Sequence, residues 1–285
     1  MGSTLALHLG ALGDFVLSWP ALGRLAALGP LHLWGRGEWG RLILLPERVH
    51  EREAARFASL FASEMEPSLQ SWLGGFDRAL VFAAAPDAVL LANLASAVPQ
   101  VETVATRPPR GRYPQVAAWQ VEQLERLGLG GPGRPLPPRL EAPVRSSGAM
   151  LAPGSGGKAK RLAPELCAVL ARRLHQGRGS LTLVLGPAEE PAYRDQLAQA
   201  LGGVPHQILA DPPIADLARR IMGASLFLGA DSGVTHLAAS LGAPTLAVFQ
   251  ASDPRLWSPQ GPRARVLGAL EAPYVDLTPP DAGLC

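Results

Sequence analysis

Residues 226–249 read LFLGADSGVTHLAASLGAPTLAVF. An apolar run, Leu226–Gly229, gives way to a loop of Ala230, Asp231, Ser232 and Gly233. Gly233–Leu241 then has the length and composition of a helix, Gly242 and Pro244 stop it, and Thr245–Phe249 is a second apolar run. Neither run alternates with polar residues. Strands of that kind are covered on both faces, so the stretch predicts a strand–helix–strand unit of a parallel sheet.

The same alternation extends outward from this unit. Upstream, strands are predicted at Ala149–Ala152, Leu181–Gly186 and His206–Ala210, with helices at Pro164–His175, Glu189–Leu201 and Ile214–Met222. The first half repeats it. Strands are predicted at Thr4–Leu9, Leu31–Trp34, Arg78–Ala83 and Val101–Thr106, with helices at Asp14–Leu28 and Tyr113–Leu127. Between the halves, Gly128–Gly148 is crowded with Gly and Pro, Pro135 among them, which continue neither helix nor ladder. The expected architecture is α/β, with two Rossmann-like doubly wound domains facing across a cleft, residues 1–135 and 136–285. A chain of 285 residues has the length for two such cores.

Bulk composition narrows the function. Gly and Pro make up about a fifth of the chain, below the roughly 25–30% that marks low complexity, so a folded protein is expected. A net charge of +2 lacks the basic excess of a nucleic-acid binder. Two cysteines, Cys167 and Cys285, cannot make a disulfide framework and read as free thiols of a reducing compartment. No metal-ligand spacing occurs. The N-terminus lacks a signal-peptide pattern, and the greasiest stretch, Leu80–Val98, is broken by Pro86, Asp87 and Asn93. A cytoplasmic protein is expected, with peripheral contact at the inner-membrane face left open.

In open parallel sheets ligands bind outside the carboxyl ends of the strands, so chemistry is sought in the loops there. Gly10-Ala11-Leu12-Gly13-Asp14 follows the first strand. Gly10 and Gly13 permit a tight turn. Asp14 is either a general base for a hydroxyl or the cap of the next helix. Ala152–Arg161 combines three glycines (Gly156 central), the Ser155 hydroxyl and the chain's only lysines, Lys158 and Lys160, with Arg161. Main-chain amides and cations near a helix start suit a phosphate; the other reading is a solvated basic turn. Asp231, Ser232, Gly233, Thr235 and His236 form a second anion loop, Asp231 fixing it through backbone donors and His236 either packing or reaching a ligand. Glu189 reads either as a ribose contact or as a partner of the helix dipole.

In order and spacing these loops resemble glycosyltransferase family 9, the ADP-heptose:lipopolysaccharide heptosyltransferases. The motifs are Gly10–Asp14 with Trp19–Leu22, Pro153–Gly156 with Lys160, Asp231–Ala239 with Gly242–Pro244, and Phe249–Pro259. Ala152 departs from the His common before Pro-Gly in that family, and the acceptor half is short. The resemblance implies a GT-B fold and an inverting, metal-independent transfer without cofactor. It also implies that heptose or a related sugar passes from an ADP-linked donor to a lipopolysaccharide-core-like or other glycan or glycolipid acceptor. It gives Asp14 the role of base, places Glu189 near the ribose, and assigns Ser155, Gly156, Lys160, Asp231, Ser232, Gly233, Thr235 and His236 to the donor. Two other readings use the same scaffold: a nucleotide-sugar epimerase or hydrolase, and a non-catalytic nucleotide-sugar-binding protein.

Overall fold

The computed structural model describes residues 2–109, 111, 114–133, 136–144 and 148–279. The chain divides into two compact units, Met1–Arg139 and Leu140–Cys285. In the first, strands β1 (Thr4–His8), β2 (Leu31–Gly35), β3 (Val49–Glu51), β4 (Arg78–Phe82) and β5 (Gln100–Val104) are interleaved with helices. These are α1 (Leu12–Leu17), α2 (Trp19–Leu28), α3 (Gly37–Gly40), α4 (Pro67–Leu73), α5 (Ala88–Ala95) and α6 (Val116–Arg126). The second unit has strands β6 (Ala149–Ala152), β7 (Leu181–Leu185), β8 (Gln207–Ala210), β9 (Leu226–Ala230), β10 (Thr245–Phe249) and β11 (Ala264–Gly268). Its helices are α7 (Pro164–Arg178), α8 (Pro191–Ala200), α9 (Ile214–Gly223), α10 (Gly233–Ser240) and α11 (Pro254–Trp257).

Both sheets are parallel throughout, with orders β3-β2-β1-β4-β5 and β11-β10-β9-β6-β7-β8. In each, the first strand of the unit has neighbours on both sides, because the winding reverses there. The reversal opens a crevice at the carboxyl ends of β1 and β4, and another at those of β6 and β9. The central strands β1, β6, β9 and β10 are buried along their whole length. Leu151, Leu183, Leu228 and Val248 meet Leu170, Leu174 and Leu197 from the flanking helices in the second core. In the first, Leu5, Leu7 and Val81 meet Trp34, Phe57, Leu90 and Leu94. Burying each such side chain contributes about 1.5–3 kcal/mol, which is why unbroken apolar runs fix these strands.

The expected elements are present, with informative differences. The single helix expected at Asp14–Leu28 is two, α1 and α2, divided at Ser18. Pro20 has no N–H to give to the preceding turn, so a new helix begins around it. The Leu80–Val98 stretch is a strand, a turn and α5, which Asp87 caps by accepting a 2.9 Å hydrogen bond from the Leu90 N–H. β3 is three residues long, too short to show a period, and was not expected; nor were α3, α4, α5, α11 and β11. The helix expected from Tyr113 runs from Val116 to Arg126; Tyr113, Pro135 and Cys285 lie outside the described residues. Arg139 donates its N–H to the Leu42 carbonyl, so the chain stays with the first unit to that point.

Candidate functional site

In the second unit the reversal brings two loops side by side. β6 and β9 pair with Ala152 opposite Gly229, so the chain leaves the sheet edge at both strands together. Gly229 makes this possible: a Cβ there would lie 2.3 Å from Thr235 Oγ1 and 3.2 Å from the Ala152 carbonyl oxygen. Ser155 Oγ donates to the Asp231 carbonyl at 2.9 Å and joins the loops. Thr235 Oγ1 donates to the Ala230 carbonyl at 2.6 Å and ties α10 back to its strand.

The centre of the cluster is the Asp231 carboxylate, which is 4% exposed. Lys160 Nζ lies 2.8 Å from its Oδ2, Ser252 Oγ donates to the same oxygen, and His236 Nε2 lies 3.4 Å from Oδ1. Burial by itself would raise the Asp231 pKa. The donors His236, Lys160 and Ser252 outweigh it and hold the carboxyl down at about 2. At neutral pH the group is therefore an anion with Lys160 as its counter-ion. The Lys160 side chain remains 35% exposed and passes 5.8 Å from the Trp257 ring. The first turn of α10, at Gly233 and Val234, adds main-chain N–H groups that no helical carbonyl can reach.

The loop carrying Lys160 is braced from three sides. Arg161 donates to the Ser155 carbonyl at 3.1 Å and the Ala188 carbonyl at 2.5 Å, and its guanidinium sits 5.4 Å over the Tyr193 ring. Tyr193 donates its hydroxyl to the Leu162 carbonyl at 2.7 Å. Gln250 Nε2 donates to the carbonyls of Ala159 at 2.9 Å and Arg161 at 2.5 Å. Glu189, 7% exposed, accepts from the Gly186 N–H and lies so close to Gly154 that a Cβ there would meet Oε1 at 1.6 Å.

This geometry reassigns several residues. The hydroxyls of Ser155 and Thr235, expected to face an anion, are spent on the Asp231 and Ala230 carbonyls, because both side chains are buried between the loops. Asp231 holds side chains rather than backbone donors. His236 is 3% exposed and packs under Asp231. Of the three cations in the loop, Arg161 is a brace and Lys158 pairs with Glu190 at 3.0 Å; Lys160 alone reaches the second loop. Gly156 is exposed, and a Cβ there would meet nothing within 4 Å. Gln250 and Ser252 were missed by sequence reasoning. Their position just past a strand's carboxyl end was the available signal.

In the first unit, Asp14 stands at the carboxyl end of β1, where that sheet reverses. It is not a cap: Ala11 holds the cap position of α1, Gly13 lies in the first turn, and Asp14 is the third helical residue. Its side chain folds beside Gly10, where a Cβ would meet His8 Cε1 at 2.9 Å and Asp14 Cβ at 3.1 Å. His8 Nε2 contacts Ser18 Oγ at 3.2 Å, and Ser18 donates to the Asp14 carbonyl at 2.8 Å. Among the described residues no cluster of three His, Cys, Asp or Glu side chains could hold a metal ion.

Residues 139–280 match the sequence profile of glycosyltransferase family 9 (heptosyltransferase). Three solved structures share the fold. A family 9 glycosyl transferase from Veillonella parvula is 16% identical, with a TM-score of 0.73, over 95% of this chain and 86% of that one. Escherichia coli ADP-heptose lipopolysaccharide heptosyltransferase II is 18% identical, with a TM-score of 0.70, over 97% and 95%. The E. coli heptosyltransferase WaaC, solved with ADP, is 16% identical, with a TM-score of 0.69, over 93% of each chain. No curated protein sequence matches the chain.

Proposed function

Because the chain is a glycosyltransferase that family 9 claims through its C-terminal half, we propose that it transfers a heptose or related sugar from an ADP-linked donor to a hydroxyl of a lipopolysaccharide-core-like or other glycan acceptor. The observation that carries this reading is the pair of joined loops at the β6–β9 reversal, with Lys160 presented at their centre. The second unit takes the donor and the first takes the acceptor. Lys160, the main-chain amides around Gly156 and the α10 N-terminus at Ser232 and Gly233 meet the diphosphate. Glu189, buried beside Gly154, is assigned to the ribose, and His236 supports Asp231 from beneath.

In this scheme the Asp14 carboxylate takes the proton of the acceptor hydroxyl. The acceptor oxygen bonds to the anomeric carbon from the face opposite the diphosphate. The carbon–oxygen bond to the diphosphate breaks, its electron pair leaves with ADP, and configuration inverts. Charge on the departing diphosphate is met by Lys160 and fixed amides, which cost little reorganisation because the loop is braced. A divalent ion has no step in this scheme. With a glycolipid acceptor the reaction belongs at the cytoplasmic face of the inner membrane, with contact at its surface. Among the described residues no helix is long and apolar enough to cross a membrane.

Four measurements test the reading. Calorimetry with ADP, UDP and GDP should select ADP, and Lys160→Ala should weaken ADP by about tenfold or more, a charge-assisted phosphate contact being lost. Equal affinity in the variant would overturn the donor-site assignment. Asp14→Asn should retain donor affinity and lower turnover more than about tenfold; unchanged turnover would require a different base. Activity should survive chelation by EDTA. Product analysis by NMR separates transfer from the alternatives: sugar released or epimerised without acceptor would mark a hydrolase or an epimerase.

A further inference from the structure

We infer that Gln250 is a positioning residue of the donor site, holding the short turn from which Lys160 is presented. Gln250 is the first residue after β10 and its side chain stands on the exposed carboxyl edge of the sheet. An amide nitrogen has two hydrogens. Gln250 places one on the Ala159 carbonyl and the other on the Arg161 carbonyl, the carbonyls of the two residues on either side of Lys160.

The turn needs this support. Lys158–Lys160 is a single turn of 3-10 helix, held internally by the Lys160 N–H to the Gly157 carbonyl at 2.9 Å and the Arg161 N–H to the Lys158 carbonyl at 3.2 Å. Turns this short have poor hydrogen-bond geometry and do not hold themselves. The loop after β10 also reaches the far end of the lysine. Ser252, two residues beyond Gln250, donates to the same Asp231 oxygen that Lys160 Nζ contacts. One loop thus fixes the lysine at its backbone and at its counter-ion. A long, flexible ammonium side chain gains most from such fixing, because less freedom is left to lose when it meets a phosphate.

The inference rests on the reading that Lys160 meets the donor diphosphate, and a double-mutant cycle separates the two. Gln250→Met keeps the length and neutrality of the side chain and removes both donors. ADP affinity would be measured by calorimetry for the native chain, Gln250→Met, Lys160→Ala and the double variant. The expected result is about a fivefold loss from Gln250→Met in the native background and little further loss where Lys160 is already absent. Amide hydrogen exchange at Lys160 and Arg161 should quicken in Gln250→Met, while the melting temperature stays near that of the native chain. Unchanged ADP affinity in Gln250→Met, or an equal loss in both backgrounds, would overturn the inference while leaving Lys160 in the donor site. Unchanged affinity in Lys160→Ala would remove the donor-site reading and this inference with it.

Discussion

Gly154 and Gly156 stand two residues apart in one loop and answer to different constraints. Gly154 lies against the buried Glu189 carboxylate, so an alanine there must displace a side chain already bonded to the Gly186 N–H. Gly154→Ala should destabilise the protein by about 1–3 kcal/mol, read from urea unfolding. Gly156→Ala, whose methyl would enter open space, should leave unfolding unchanged and weaken ADP binding, since it fills the volume assigned to phosphate. The opposite pattern would refute both assignments. His8 illustrates a residue whose sequence position said little. Ser18 donates to the Asp14 carbonyl, so its oxygen accepts from His8 Nε2–H. Burial pushes the His8 pKa down to about 4, against a smaller opposing pull from the Asp14 carbonyl. As pH falls through 6.5 the unfolded chain takes up a proton that the folded chain refuses, so stability falls with pH until about 4. For His8 the loss across that window is about 3 kcal/mol. Urea midpoints should drop between pH 6.5 and 5, and His8→Gln should flatten the profile. A native profile that is already flat there would contradict the neutral buried ring.

At the scale of elements, the β2–β3 edge carries a second histidine arrangement. His32 and His50 are parallel within 3° and joined by a 3.1 Å contact between His32 Nδ1 and His50 Nε2. Arg56 Nη2, which can only donate, lies 3.3 Å from His50 Nδ1. Neutral His50 therefore carries its proton on Nε2 and gives it to His32 in a hydrogen bond. Burial, then the neighbouring His32 and Arg56, push the His50 pKa down to about 4, in the same sense as His8. Only partly buried, His50 adds less to the acid loss than its shift suggests. The cap of α5 offers a simpler test: Asp87→Ala should cost about 1 kcal/mol in urea unfolding, and no loss would mean that the cap bond is not formed in solution. Most strands and the longer helices were legible in the sequence, and so were the loops that carry the candidate site; α5 was not, although it is strongly apolar. β3 was not, because three residues hold no period, and the α1–α2 break was hidden because helical spacing continues across Pro20.

At the scale of the whole molecule, each unit closes its own sheet around its own core. Residues 140–285 produced alone should fold and bind ADP but transfer no sugar, checked by circular dichroism, calorimetry and product assay. An unfolded fragment would show that the second core is not self-sufficient. Sequence by itself determined the two parallel α/β sheets, the carboxyl-end loops and the residue types in them, because apolar run length and Gly/Pro punctuation are local properties that burial reads directly. It could not determine which polar groups spend their hydrogen bonds on one another. The Ser155 and Thr235 hydroxyls turned inward, Arg161 became a brace, and Gln250, about ninety residues from Lys160, came to hold its turn. Those outcomes belong to tertiary structure. A hydrogen-bond donor needs an acceptor within about 3 Å, and which acceptor lies there is fixed by sheet order and register, not by distance along the chain.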